Sequence, residues 1–486
     1  MTSHLAFCMH SSVVVLGGGP GGYAAAFLAA DEGLEVTIVE AEPRLGGTCL
    51  LRGCIPSKAL LHVAKVIAEV DELREDWGVE YSGSPTIDVD KVRGRKDTVI
   101  SNLTGGLGQL AKRRGVKVIQ ARGSFVNSTT LKLEGEHESI PDDNQITFDH
   151  CILATGSVPA MPPAFDIGSD RVMDSSGALA LKDIPETLLV VGGGYIGLEM
   201  GSVYAQLGSK VSVVELGEGL LPGADRDLVR PLARRMKELC EDRIFLNTKV
   251  GSLSEDGDKV VVTFEGPAKF GNERYDRVLI SIGRRPVTRG LGLENTEVEI
   301  NDRGFVVCDN QQRTADKHIF AIGDVAGDPM LAHKATHEGR VAAEVIAGKT
   351  AAAFDKVAIP AVVFTDPEIA WAGLTEEEAK RDGIEVSVES YPWQASGRAQ
   401  ALGLTNGMTK WLVDPKTHRA LGCGIVGTGA GELIAEAVLA IEMGCEMHDI
   451  TESVHPHPTL SETLMNAGEV HFGTATEIYK PKRKAS

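Results

Sequence analysis

Two stretches of this chain repeat one another, and that repeat restricts the fold more than any other feature. Residues 13–40, VVVLGGGPGGYAAAFLAADEGLEVTIVE, read as strand, glycine loop, Ala-rich helix, strand and terminal acid. Residues 189–215, LVVGGGYIGLEMGSVYAQLGSKVSVVE, follow the same order. The spacing from first glycine to terminal acid is 23 positions in both, Gly17 to Glu40 and Gly192 to Glu215. A lone G-x-G-x-x-G is a weak sign of dinucleotide binding. Two copies, each between a strand and a helix with an acid at matching distance, are a strong one.

The physical reading is shared. Gly17 and Gly192 permit the tight turn, and Gly19 and Gly194 let the backbone approach a pyrophosphate. Gly22 and Gly197 let the helix pack close to the strand. The helix N-terminus then faces the phosphates with free N–H groups and its positive dipole end. Glu40 and Glu215 fall where a carboxylate accepts hydrogen bonds from ribose hydroxyls, and two such sites suggest two different dinucleotides. The residues after Glu215, LGEGLLPGAD, offer no cation for a 2′-phosphate, which favours NAD over NADP there.

Other fragments fit two nucleotide domains. CILATGSVP (151–159) and LISIGRRP (279–286) are apolar strands of like form and mark the chain crossing between domains. TADKHIFAIGD (314–324) places Asp324 at a strand end, either beside a ribityl or ribose hydroxyl or as a plain turn aspartate. AGKTAAAF (347–354) reads as a linker to a third unit without a phosphate loop, a candidate interface. The fold class is therefore α/β, with two Rossmann-like dinucleotide-binding domains plus a C-terminal α+β domain, the candidate interface, which the family resemblance described below makes a dimerisation domain. At 486 residues the chain has room for about three domains.

Composition excludes some functions. A net charge of −19 argues against a general nucleic-acid surface, and the basic tail at 480–486 reads as a solvated end. No apolar run approaches the ~18 residues of a membrane span. Eight cysteines (Cys8, Cys49, Cys54, Cys151, Cys240, Cys308, Cys423, Cys445) include one close pair, so neither a disulfide framework nor a zinc knuckle is built. A reducing location is expected: cytoplasmic, or the mitochondrial or another organelle matrix.

The close pair lies in GGTCLLRGCIPSK (46–58). In regular helix Cys49 and Cys54 would sit ~7.5 Å apart along the axis, beyond comfortable disulfide reach. A bond between them needs an irregular turn, for which Gly53 supplies the freedom. Pro56 suits a first helical turn, which puts Cys54 at a helix N-terminus where a thiolate is stabilised. Two buried core cysteines are the alternative, disfavoured by the glycines and the polar Thr48 around them.

SVHPHPTLSETL (453–464) pairs His457 with Glu462. Pro458 keeps His457 out of helix, and a carboxylate on one ring nitrogen raises the basicity of the other. The competing readings are a His-Pro turn with a capping glutamate, since Thr459 to Glu462 has capping-box spacing, and a metal site at His455 and His457. The last lacks an acidic or thiol partner at ligand spacing.

GGTCLLRGCIPSKALLH, the paired glycine units, AIGD and HPHPTLSE together resemble the pyridine nucleotide–disulfide oxidoreductases, over nearly the whole chain and in family order. IPSKALL and HPTLSE are most similar to the members that oxidise dihydrolipoamide. The resemblance implies FAD in the first nucleotide site and NAD in the second. It divides the chain into residues 1–158 (FAD), 159–287 (NAD), 288–354 (FAD, second part) and 355–486 (dimerisation). It implies a homodimer with shared active sites, serving lipoyl domains of 2-oxoacid dehydrogenase complexes or the glycine cleavage H protein.

Carried over residue by residue, Cys54 faces flavin and Cys49 exchanges with substrate as a redox-active disulfide. His457, from the partner subunit, is the acid–base that Glu462 orients. Lys58 lies near the flavin, paired with Glu199. Thr48, Gly123, Thr155, Gly156, Asp324 and Ala332 join Gly17, Gly19, Gly22 and Glu40 around FAD. Val250 and Gly283 join Gly192, Gly194, Gly197, Glu199 and Glu215 around NAD. Two departures stand out. Leu51-Arg52 replaces the frequent Asn-Val, giving an arginine that either favours thiolate or meets an acidic partner. Tyr195, where many relatives have Ile or Val, is expected to cover the flavin face until nicotinamide arrives.

Overall fold

The computed structural model describes residues 9–83, 85–267 and 272–479. Cys8 and the basic tail at 480–486 lie outside them. The first unit opens with β1 (Met9–Leu16), α1 (Pro20–Asp31) and β2 (Val36–Glu40). The short helix α2 (Gly47–Arg52) follows, then the long helices α3 (Cys54–Asp76) and α4 (Val89–Arg113). Strands β3 (Lys117–Gln120), β4 (Arg122–Asn127), β5 (Thr130–Glu134) and β6 (Gln145–Leu153) complete the sheet. Its order is β3-β2-β1-β6-β5-β4. Val13, Val14 and Val15 are fully buried, as a central parallel strand covered on both faces requires.

After the crossing at the three-residue strand β7 (Ser157–Pro159) comes the second unit. It runs β8 (Val172–Met173), α5 (Ser175–Ala180), β9 (Thr187–Val191), α6 (Tyr195–Gln206), β10 (Lys210–Val214) and α7 (Arg226–Leu239). β11 (Ile244–Phe245) and β15 (Arg277–Ile280) finish a parallel sheet ordered β11-β10-β9-β15-β8. Between them β12 (Lys249–Asp256), β13 (Lys259–Glu265) and β14 (Glu273–Tyr275) form a separate antiparallel sheet. β16 (Arg284–Pro286) pairs antiparallel with β7. The two segments of like form in the sequence thus bond to each other where the chain leaves and re-enters the first unit.

The return passage adds β17 (Ile319–Ala321), parallel to β6, and α8 (Ala332–Ile346). β17 ends three residues before Asp324, which sits in a single 3₁₀ turn rather than on the strand itself. α8 lies on α1 at small residues: a Cβ on Gly339 would meet the Gly21 carbonyl oxygen at 2.6 Å. Residues 347–360 carry no regular element.

The third unit is a five-stranded antiparallel sheet ordered β18-β19-β22-β21-β20, flanked by helices. Its elements are β18 (Ala361–Val363), β19 (Ile369–Gly373), α9 (Glu376–Asp382), β20 (Ser387–Pro392) and α10 (Gly397–Ala401). β21 (Met408–Val413), β22 (Ala420–Val426), α11 (Ala430–Glu442), α12 (Met447–Thr451) and α13 (Glu462–Phe472) close it. Trp393 and Trp411 anchor its core, with indole N–H groups bonded to Thr409 Oγ1 and the Leu464 carbonyl. Among the described residues no helix is long and apolar enough to cross a membrane.

Candidate active site

The two glycine loops are built alike. φ is +110° at Gly17 and +108° at Gly192, a region open to glycine. A Cβ on Gly22 would lie 1.9 Å from the Gly17 oxygen, and one on Gly197 would lie 2.2 Å from the Gly192 oxygen. The terminal acids match as well. Glu40 accepts from the N–H groups of Gly18 (2.6 Å) and Glu42 (2.8 Å), and Glu215 from those of Gly193 (2.6 Å) and Gly217 (2.6 Å). Each carboxylate oxygen keeps a lone pair for a ribose hydroxyl.

A cleft of about 530 Å³ starts at the first glycine loop. Gly17, Gly19, Gly22, Glu40, Thr48, Cys49, Cys54, Lys58, Gly123, Thr155, Gly156, Asp324 and Ala332 all line it. Glu199 and Tyr195 reach it from α6. Its free helix N-terminus at Gly19–Pro20, its ribose carboxylate and its apolar lining fit FAD. Gly192, Gly194, Gly197, Glu215, Val250 and Gly283 lie outside it. Val250 is buried in the core of the second unit and Gly283 is in the turn before β16, with φ +124°.

Cys49 sits on α2 and Cys54 opens α3, with Gly53 between the helices. Both are thiols here, joined by a hydrogen bond between their side chains. That bond, then the Lys58 charge, holds the Cys54 thiol down to about 7, against burial and Glu199, which push it up. The same bond, together with burial, pushes Cys49 up. The two thiols differ in setting: Cys54 opens α3 one turn before Lys58, while Cys49 lies within α2.

Lys58 Nζ meets the two Glu199 oxygens at 3.0 and 2.9 Å and lies 4.3 Å from the Phe364 ring centroid. The Phe364 N–H also donates to Glu199 at 3.1 Å, so the third unit touches this ion pair. Arg52 finds its acid within the chain, Glu42, at 2.6 Å. Tyr195 is the first residue of α6 and stays exposed on the cleft wall.

Several contributors carry no spacing signal in the sequence. Ser157 Oγ donates to Asp324 at 2.5 Å and accepts from Arg284 Nε at 2.7 Å, all three on the cleft wall. Arg284 directly follows Gly283 in GRRP, the one hint of it. Behind Asp324, the buried pair Lys334–Glu338 (2.8 Å) braces the loop, with Glu338 accepting from the Gly323 N–H at 2.7 Å.

His457 lies outside the cleft, on the third unit, with its side chain 79% exposed. Its Nδ1 is 2.9 Å from one Glu462 oxygen, while the other accepts from the Thr459 N–H at 2.7 Å. Glu462 thus holds the imidazole and ties down its helix end together. Burial raises its pKa, but the Thr459 N–H and His457 outweigh this and leave it lowered. His455 instead bonds Glu436 at 2.8 Å and the Ser453 carbonyl, and is not grouped with His457 as a metal site.

Two sequence families match this chain: pyridine nucleotide-disulphide oxidoreductase over residues 11–339, and the dimerisation domain of the same family over 359–467. The chain belongs to the pyridine nucleotide–disulphide oxidoreductases, and the second match supports a homodimer. Within the family it is similar to curated dihydrolipoyl dehydrogenases. It is 48% identical to that of Vibrio parahaemolyticus over 98% of both chains, and 47% identical to that of Haemophilus influenzae over 98% of both. Among solved structures, LpdA from Mycobacterium tuberculosis matches with TM-score 0.85 at 26% identity, over 95% of this chain and 99% of that one. The HOCl-induced flavoprotein disulfide reductase RclA from Escherichia coli matches with TM-score 0.82 at 29% identity, over 93% and 98%.

Proposed function

We propose that this chain is an FAD- and NAD-dependent dihydrolipoamide dehydrogenase. It oxidises protein-bound dihydrolipoamide to lipoamide through a Cys49–Cys54 disulfide and reduces NAD⁺ to NADH. The observation that carries the residue roles is that Cys49 and Cys54 both line the FAD cleft, with Cys54 opening α3 one turn before Lys58. Bound FAD supplies the link between thiol oxidation and hydride transfer to NAD⁺.

The protein residues do the rest. Glu462 accepts the His457 Nδ1–H, leaving Nε2 free to take a proton from dihydrolipoamide. The substrate thiolate attacks Cys49 of the oxidised pair and displaces Cys54 as thiolate. The second substrate thiol, deprotonated in turn, attacks the first substrate sulfur. Lipoamide leaves with both sulfurs joined, and Cys49 is released and protonated. Lys58 and the Cys49 S–H hold the charge on Cys54 beside the flavin end of the cleft.

His457 acts on the partner subunit's cysteines, a reading supported by its exposure in the single chain and its absence from the cleft. Arg226 supports NAD at the second site. It is the first cation after Glu215, and its guanidinium is spent on the carbonyls of Leu220, Leu221 and Ala224. No phosphate could claim it without unravelling that loop. The lipoyl group arrives on a 2-oxoacid dehydrogenase complex or H protein, in the cytoplasm or an organelle matrix.

The test is anaerobic addition of dihydrolipoamide and NAD⁺ to the purified flavoprotein, with NADH formation expected. NADPH-driven reduction of another disulfide, without NADH formation from dihydrolipoamide, would sink the assignment. Cys49→Ser should abolish turnover while leaving flavin bound.

A further inference from the structure

The redox loop carries a cation that the glycine motifs and the thiol chemistry leave unexplained. Arg52 ends α2, three residues after Cys49, and its Nη1 donates to Glu42 Oε1 at 2.6 Å. Glu42 in turn donates its backbone N–H to Glu40 Oε1, and Glu40 Oε2 accepts from the Gly18 N–H. A line of hydrogen bonds therefore runs from the cysteine helix to the phosphate loop through two carboxylates. Arg52, Glu42, Glu40 and Gly18 all line the FAD cleft.

Arg52 is one of several cations on the cleft, with Lys58, Arg122, Arg284 and Arg289, and the one bound to Glu42. A dinucleotide brings a diphosphate to the Gly17–Gly22 loop, beside the carboxylates Glu40 and Glu42. Like charges at such distances oppose binding. Arg52 offsets part of this: it neutralises Glu42 and retains unused donors. A guanidinium has five N–H groups in a fixed fork, and among the described residues only Glu42 accepts from this one. Nor is Arg52 the cation that sets the thiols apart, because Lys58 is the charge acting on both.

We propose that Arg52, held by Glu42, is a binding residue for the anionic diphosphate–adenosine half of FAD. The proposal rests on the cleft being the FAD site and adds a contact that the family's frequent Asn-Val at 51–52 cannot make. It also joins the cysteine helix to the far end of the cofactor, so one side chain serves both.

The test uses the full-length protein reversibly freed of flavin, titrated calorimetrically with FAD, ADP and riboflavin. Arg52→Met should weaken FAD and ADP by about tenfold or more, the scale of one charge-assisted contact, and leave riboflavin unchanged. Arg52→Lys should recover most of that loss. Added salt should narrow the gap between wild type and Arg52→Met. Glu42→Gln should weaken FAD less than Arg52→Met does. FAD and ADP affinities within about twofold of wild type in Arg52→Met would overturn the proposal, leaving an ordinary surface ion pair. Equal loss of riboflavin binding would overturn it too, as damage to the fold. A wild-type protein that binds ADP but no FAD would instead fail the flavoprotein assignment.

Discussion

Lys58 and Glu199 meet through two contacts of 3.0 and 2.9 Å, joining the helix that Cys54 opens to the helix of the second glycine loop. The two partners act oppositely on Cys54: Lys58 lowers its pKa and Glu199 raises it. In wild type, thiolate on Cys54 should dominate above about 7 and be lost as pH falls through that value. Lys58→Met should move the transition up towards the free-thiol value of about 8.5, and Glu199→Gln should move it down. Ultraviolet thiolate absorbance of the reduced protein against pH reads both. A shift in the same direction for both variants would contradict this electrostatic account.

The placement of His457 predicts a complementation pattern. Neither Cys49→Ser nor His457→Gln homodimers should turn over dihydrolipoamide appreciably, the histidine variant falling by about 10²–10⁴-fold. In a mixed dimer, one site carries both lesions and the other carries none. Co-expressed, differently tagged subunits should therefore regain about half of wild-type activity per dimer. If His457 served its own chain's cysteines, the mixed dimer would stay inactive.

Glu215 should set the preference for NAD. Its oxygens accept from Gly193 and Gly217, and the first cation after it, Arg226, is held by the carbonyls of Leu220, Leu221 and Ala224. Glu215→Ser should lower kcat/KM for NAD⁺ by about tenfold and raise that for NADP⁺. Steady-state kinetics with both cofactors decide it. An unchanged ratio would place the discrimination elsewhere.

Lys410 is fully buried between the second and third units, where Asp225 and Asp227 each approach its ammonium at 2.8 Å and Glu376 completes the set. The three acids lie within 4.8 Å of one another, and the lysine occupies the place a cation would take. Burial lowers its pKa, but the three acids overcome this and raise it. Lys410→Met should destabilise the protein by about 3–5 kcal/mol, the usual cost of orphaning buried charge. Urea unfolding of the variant against wild type checks it.

The glycine loops were legible in the sequence because their chemistry is local: a turn, a helix start and an acid recur at one spacing. The matching bonds at Glu40 and Glu215 follow from that spacing. His457 and Glu462 were legible for the same reason, five residues apart around a proline. Arg284, Ser157 and Asp324 were not read as a group, since their contacts span 127 and 167 residues and depend on β7 meeting β16. Phe364 was hidden likewise, because a backbone N–H from the third unit carries no side-chain signature. The partner of Arg52 has no signature in the sequence either, and the fold alone brings Glu42 to it.

The exposure of His457 has a consequence for the enzyme in dilute solution. If that base completes only the neighbouring subunit's site, its catalytic environment exists only while two chains stay together. The cysteines, the FAD cleft and the second glycine loop all reside within a single chain. Dilution below the dimer's dissociation constant should then split the two half-reactions: flavin reduction by NADH would survive, and exchange with lipoamide would fade. Protein concentration would act as a throttle on one substrate and not on the other.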